Sequence, residues 1–278
     1  MEGKRQRAES REKKKRIPFL SHSGPTTHPH PFRHSTFGGS SGEPRHWASP
    51  ARHVDDILAA ADWARGPGLA GRVDAARLAL WGSSLAGGHA LVAGARLAPP
   101  PSAVVAQVPH LSGPAAARAG MAARGLAGTL RLGRAAVLDA VRGALGLPPV
   151  FVRVAGGRGD LAFMQLAAEE LAAYFAKHPP AYSGGWRNQV RARLALEIGR
   201  YSPIKSVPAL ACPALLVVAE ADSVCPPSLA ADAAALAPPG RVRVHTLKGV
   251  GHFDVYAGPA FKEAVAAEGD FLVEVLGA

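Results

Sequence analysis

The strongest constraint in this sequence is the order of its apolar segments. Arg77–Trp81 (RLALW) and Ala103–Val108 (AVVAQV) are runs of strand length, and the stretch between them, through His89, Leu91 and Val92, has helical spacing. Strand, helix, strand in that order calls for a parallel sheet with right-handed crossovers. The pattern returns near the end of the chain. There Ala214–Ala219 (ALLVVA), a helix near Ser228–Leu236 and the strand Val242–Thr246 precede an amphipathic helix carrying Phe261, Val265, Phe271, Leu272 and Leu276. A further helix leads into the first strand, with Val54, Ile57, Leu58 and Ala61 on one face and Gly66-Pro67-Gly68 at its end. The expected class is α/β, a mostly parallel sheet with helices on both faces.

About a hundred residues, 109–213, separate the two halves of this pattern. Their spacing predicts helices, with Leu138, Val141 and Leu145 on one face and Leu161, Met164, Ala168, Leu171 and Phe175 on another. Of the formal net charge of +11, residues 110–200 carry +7 and residues 1–16 carry +5, so the rest is near neutral. The arginines of the middle segment read as a solvated outer face of a helical cap rather than as a site for anions. Residues 1–36 read as a disordered basic extension, too poor in apolar side chains to offset the entropy of ordering. Lys4-Arg5 and Lys13–Arg16 have the composition of a nuclear or organellar address, but a solvated tail with no specific nucleic-acid partner is the commoner meaning. Its histidines, His22, His28, His30 and His34, lack the spacing of metal ligands.

Two cysteines, Cys212 and Cys225, exclude a disulfide framework and a cysteine-rich zinc site. No apolar run reaches the roughly 18–20 residues of a bilayer span, and Ile17–Leu20 is too short for a secretory signal. The expectation is a soluble cytoplasmic protein of undetermined oligomeric state.

Gly82-Ser83-Ser84-Leu85-Ala86 lies where the first strand meets the following helix. A nucleophile on such a sharp turn lifts its hydroxyl clear of the sheet, and the turn tolerates only small residues two positions away. That selects Ser84 over Ser83, whose neighbour at −2 would be Trp81. The new helix directs its first amides, Leu85 foremost, at an oxyanion. A serine needs a base, and the base needs a carboxylate to orient it. Glu220-Ala221-Asp222 follows the strand ending at Ala219, and Gly251-His252 follows the strand of Val242–Thr246. Both loops leave carboxyl ends of strands, where open α/β sheets keep their sites. The expected catalytic set is Ser84, Asp222 and His252, with Glu220 the alternative acid. His89 sits too soon after Ser84 to reach its hydroxyl, His245 is inside a strand, and Asp254 reads as a loop hydrogen-bonder.

Four segments, Gly38–Arg45 (GGSSGEPR), Leu80–His89 (LWGSSLAGGH), Glu220–Pro227 (EADSVCPP) and Gly251–Tyr256 (GHFDVY), together resemble the α/β-hydrolase superfamily over residues 37–276. The branch they look most like holds serine hydrolases of acetylxylan-esterase, dienelactone-hydrolase and serine-aminopeptidase type. The resemblance implies a hydrolase core at 37–108 and 214–278 and a helical cap at 109–213. It also implies a small-molecule ester or amide substrate, a Ser-His-Asp mechanism and no metal or organic cofactor. Family members carry three strands ahead of the Gly38 loop, and the turn after the third supplies a second oxyanion amide. Those strands have no counterpart in residues 1–36, which predicts no regular sheet there and a weak hydrolase. A peptidase or amidase, or a hydrolase-like binding protein, are the competing functions.

Overall fold

The computed structural model of the chain describes residues 34–66, 73–177 and 187–277. The expectation for residues 1–36 therefore lies outside the described residues, apart from 34–36, which form part of a turn.

Helix α1 (Pro50–Arg65) begins with proline at its first position, where the missing N–H is no loss. It is followed by β1 (Ala79–Ser83), α2 (Leu85–Arg96) and β2 (Ala103–Gln107). After the insertion come β6 (Ala214–Ala219), α6 (Leu229–Leu236), β7 (Val242–Leu247) and α7 (Gly258–Leu276). The sheet has the order β1-β2-β6-β7 and every pair in it is parallel. Its central strands β2 and β6 are buried along their whole length, which is why they read as unbroken apolar runs. On one face Val54, Leu80, Leu91, Val104, Leu216 and Val218 pack under α1 and α2. On the other, Val105, Leu215, Val217, Leu247, Phe271 and Leu272 pack under α7. No helix among the described residues is long and apolar enough to cross a membrane.

The insertion between β2 and β6 is mainly helical. Helix α3 (Gly113–Ala144) starts under a cap in which Ser112 Oγ accepts from the Ala115 amide, and it breaks at Gly125, whose φ of 71° leaves the helical region. After α3 the chain departs from the helical expectation. Strands β3 (Phe151–Gly156), β4 (Ala162–Gln165) and β5 (Val190–Arg191) form a small mixed sheet in the order β4-β3-β5. Helix α4 (Ala168–Lys177) follows β4, and α5 (Leu194–Ile198) follows β5. Leu161 and Met164 thus lie at a strand, not on the helix that carries Leu171 and Phe175. Leu161–Met164 is a continuous apolar run that either structure can bury, and the turn Gly157–Asp160 ahead of it decides for a strand paired to β3. Leu138 and Val141 do share a face of α3, with Leu145 just past its end, but that face is exposed and also carries Leu126 and Leu130. The outside of the insertion is therefore apolar as well as basic.

One buried acid on α7 gives the core a pH dependence. Glu268 is 1% exposed. Its Oε2 accepts from Trp81 Nε1 at 3.0 Å, while Oε1 has no partner among the described residues. Burial pushes its pKa up to about 7, against the smaller opposing effect of the Trp81 hydrogen bond. A raised pKa means the folded state binds the proton more tightly than the unfolded state does. The stabilisation is full below the unfolded value near 4.5 and is lost as pH rises through about 7. Glu268→Gln is expected to flatten the melting temperature between these limits. At pH 8 it should exceed the parent by a few kcal/mol, at about 1.36 kcal/mol per unit. Thermal melts at pH 5 and pH 8 check this, and an unchanged pH profile in the variant would refute it.

Candidate active site

Three loops leave the carboxyl ends of β1, β6 and β7 and meet over the edge of the sheet. Ser84 joins β1 to α2 with φ 56° and ψ −122°, a strained conformation for a residue with a side chain. The elbow is held by its own backbone: the Ser84 amide donates to the Gln107 carbonyl at 2.8 Å, and the Ser84 carbonyl accepts from Gly87 and His110 at 3.0 and 2.9 Å. A β-carbon at Gly82 would collide with the Ala86 carbonyl. That is the physical content of the small residue two positions before Ser84.

Asp222 is fixed at the end of β6 by the amides of Val224 and Cys225, which donate to its Oδ1 at 2.8 and 2.6 Å. Its other oxygen, Oδ2, lies 2.7 Å from His252 Nδ1, and His252 Nε2 lies 3.0 Å from Ser84 Oγ. Both side chains are almost fully buried, at 1% exposure for Asp222 and 2% for His252. An ionised carboxylate only accepts, so Nδ1 carries the proton and Nε2 is left to accept from the serine hydroxyl. Ser84, His252 and Asp222, the residues singled out in the sequence, are brought into one chain of contacts.

The alternatives are engaged elsewhere. Ser83 Oγ accepts from Gln107 Nε2 at 3.1 Å and pairs with the Tyr256 hydroxyl at 2.7 Å. Glu220 accepts from Lys248 Nζ and the Gly249 amide, which pins the turn after β7. Asp254 accepts from the Gly251 amide, as expected of a loop acid. His89 is buried with Nδ1 2.8 Å from the Tyr201 hydroxyl, and burial lowers its pKa to about 2, so it stays neutral. His245 lies on β7, 3.5 Å from Glu263.

Leu85, at the first position of α2, has no helical acceptor for its amide and lines a cavity of about 510 Å³ with Ser84. Ala116, Gly120, Leu132, Phe163, Leu166 and Ile198 of the insertion form much of its wall. Two residues of this cavity were not assigned to the site from the sequence. His110 stacks on Tyr201, and its amide supports the Ser84 carbonyl. Cys225 lies against the site, and burial, reinforced by the Asp222 carboxylate, pushes its thiol far above the ordinary range, so that it remains a neutral thiol. Its position three residues after Asp222 was the available signal. Asp222, Cys225 and His252 offer ligand atoms within 4.8 Å of one another, but the short contact between Asp222 and His252 already occupies both partners.

A parallel sheet of this order, with a serine on a strained strand-to-helix turn and an acid and a histidine after later strands, defines the α/β-hydrolase architecture. No protein-family model matches the chain. Over 248 residues it is 32% identical to the quorum-quenching protein AidA of Acinetobacter baumannii, an alignment covering 88% of this chain and 76% of AidA. In structure it is similar to the α/β hydrolase GrgF from Penicillium sp. sh18, with a TM-score of 0.70, 20% identity and coverage of 88% and 78% of the two chains. It is also similar to a monoacylglycerol lipase of Paleococcus ferrophilus, with a TM-score of 0.58, 16% identity and coverage of 86% and 80%. The chain belongs to the family of AidA, and its fold is that of the α/β hydrolases.

Proposed function

We propose that the chain is a serine hydrolase that cleaves carboxylic esters, with Ser84 as nucleophile, His252 as base and acid, and Asp222 as the orienting carboxylate. The observation that carries this is the unbroken contact from Asp222 Oδ2 through the His252 ring to Ser84 Oγ. As Ser84 Oγ bonds to the acyl carbon, its proton passes to His252 Nε2, and the Asp222 carboxylate stabilises the imidazolium. The carbonyl oxygen takes the negative charge and accepts from the Leu85 amide at the start of α2. Collapse of this intermediate breaks the bond to the alcohol oxygen, which leaves with the proton from His252. Water then attacks the acyl-serine and gives a proton to Nε2. As the acyl–Oγ bond breaks, Oγ takes that proton back and the carboxylic acid departs. Residues 109–213 cap the site in this reading, and the apolar cavity they share with Ser84 suits an acyl chain.

A fluorophosphonate probe tests the assignment. It is expected to label the protein at Ser84 and to leave Ser84→Ala unlabelled. Labelling that survives this substitution, or none in the parent, would overturn the nucleophile. The relationship to AidA favours a second, narrower reading, that the bond cleaved belongs to a quorum signal. Loss of a signal from culture medium with the parent, and persistence of that signal with Ser84→Ala, is the outcome this reading requires.

A further inference from the structure

The cavity beside Ser84 borders a second hollow of about 450 Å³, and the two share Ala123, Arg124, Gln165 and Leu166 as wall residues. The first is walled largely by alanine, glycine and apolar side chains, whereas the second adds Arg158 and the Gly159 backbone. Arg124 stands where they meet, half-buried, on the turn of α3 just before the break at Gly125. Its Nη2 donates to the Phe163 carbonyl of β4 at 2.7 Å, which anchors the guanidinium across the cavity wall. Gly120 leaves it room, since a β-carbon there would press on Nη1. Among the described residues no carboxylate forms an ion pair with Arg124.

Nearby charges deepen this imbalance. Arg131 Nη1 donates to the Gly159 carbonyl at 3.3 Å, bringing a third guanidinium to the loop that carries Arg158. Of the acids around the hollow, Asp160 is held by Arg153 and the Gly157 amide. Glu170 accepts from the Ala167 amide and from the Ser223 hydroxyl. A half-buried cation without a counter-charge is unfavourable, and burial accordingly depresses the Arg124 pKa. A planar carboxylate matches the guanidinium fork and would restore the missing interaction.

We infer that the acyl chain accepted by this site ends in a carboxylate, which Arg124 receives where the two hollows meet, with Arg158 on the side of the second hollow. The substrate class is then a half-ester of a dicarboxylic acid, its ester carbonyl at Ser84 and its free carboxylate in the cap. This inference rests on the ester-hydrolase reading and adds the identity of the far end of the acyl group. It also departs from the sequence expectation that the cap arginines form only a solvated face.

The test compares the 4-nitrophenyl half-ester of octanedioic acid with 4-nitrophenyl octanoate, which has the same chain length without the charge. The parent is expected to favour the charged ester by about tenfold or more in kcat/KM, and less so at high salt. Arg124→Gln should lower that ratio at least tenfold, and Arg124→Lys, which keeps the charge without the fork, should retain part of it. If Arg124→Gln does not fold, Arg158→Gln carries the same comparison. A preference for the neutral ester in the parent, or a ratio indifferent to these substitutions, overturns the inference while leaving ester hydrolysis intact. If neither ester is cleaved, the ester reading falls, and calorimetric titration of the parent with octanedioate decides whether the anion site exists.

Discussion

Ser84→Ala and His252→Ala are each expected to reduce kcat by on the order of 10⁴–10⁶-fold, and the double substitution to lose little more than either alone. The reason lies in the geometry. In the proposed mechanism Ser84 Oγ, 3.0 Å from Nε2, is a weak nucleophile unless the imidazole removes its proton, and the later proton transfers by the imidazole act only on intermediates that Ser84 has formed. Removing one therefore idles the other. Asp222 contributes through orientation and charge, so Asp222→Asn should cost on the order of 10⁴ while preserving the shape of the loop. Glu220→Gln should leave turnover within a few-fold, because Glu220 serves the Lys248 and Gly249 turn. Single-turnover kinetics on a 4-nitrophenyl ester measure all five variants. Additive losses in the double variant would show that the two side chains do not work as a unit.

Both the parallel sheet and the order of the three site residues were legible because they rest on local signals. Strands β2 and β6 are buried on both faces and so read as unbroken apolar runs, and the run Ala214–Ala219 coincides with the strand. The elbow was legible because a positive φ at Ser84 and the crowding at Gly82 restrict which residues can stand there. The small sheet of the cap was not. Its two-residue strand β5 is too short to show a period, and β4 belongs to a short continuous apolar run that a buried helix fits equally well. Nor does any local pattern join Arg124 to Phe163, or Asp139 to Arg191, since each contact spans tens of residues and depends on the finished cap.

Asp139→Ala is expected to be the most destabilising single change in the cap, at about 3–5 kcal/mol. Asp139 lies on α3 with no exposed surface, and Arg191 of β5, at 2% side-chain exposure, approaches it at 2.9 Å. The carboxylate also accepts from the Val150 and Arg193 amides at 2.9 and 3.1 Å, so it ties α3 to the entrance of β3 and the exit of β5. Trp47 lies alongside, with the Arg191 and Arg193 guanidinium carbons 5.3 and 5.1 Å from its ring centre. The substitution would leave a buried guanidinium and two buried amides without an acceptor, whereas Asp139→Asn keeps one acceptor oxygen and should lose less. Making both sites apolar, with Asp139→Leu and Arg191→Met, should recover only part of the loss, because the two amides remain orphaned. Burial alone would raise the Asp139 pKa. The hydrogen bonds from Arg191, Val150 and Arg193, with the Arg191 charge, outweigh it and hold the group below its usual value. A depressed pKa gives stability that is present above the unfolded value near 3.8 and disappears as pH falls through the folded one. The gap between parent and Asp139→Asn should therefore narrow in acid. Denaturant unfolding at pH 7 and pH 3 measures both effects, and a loss below 1 kcal/mol for Asp139→Ala would show that the cap does not depend on this contact.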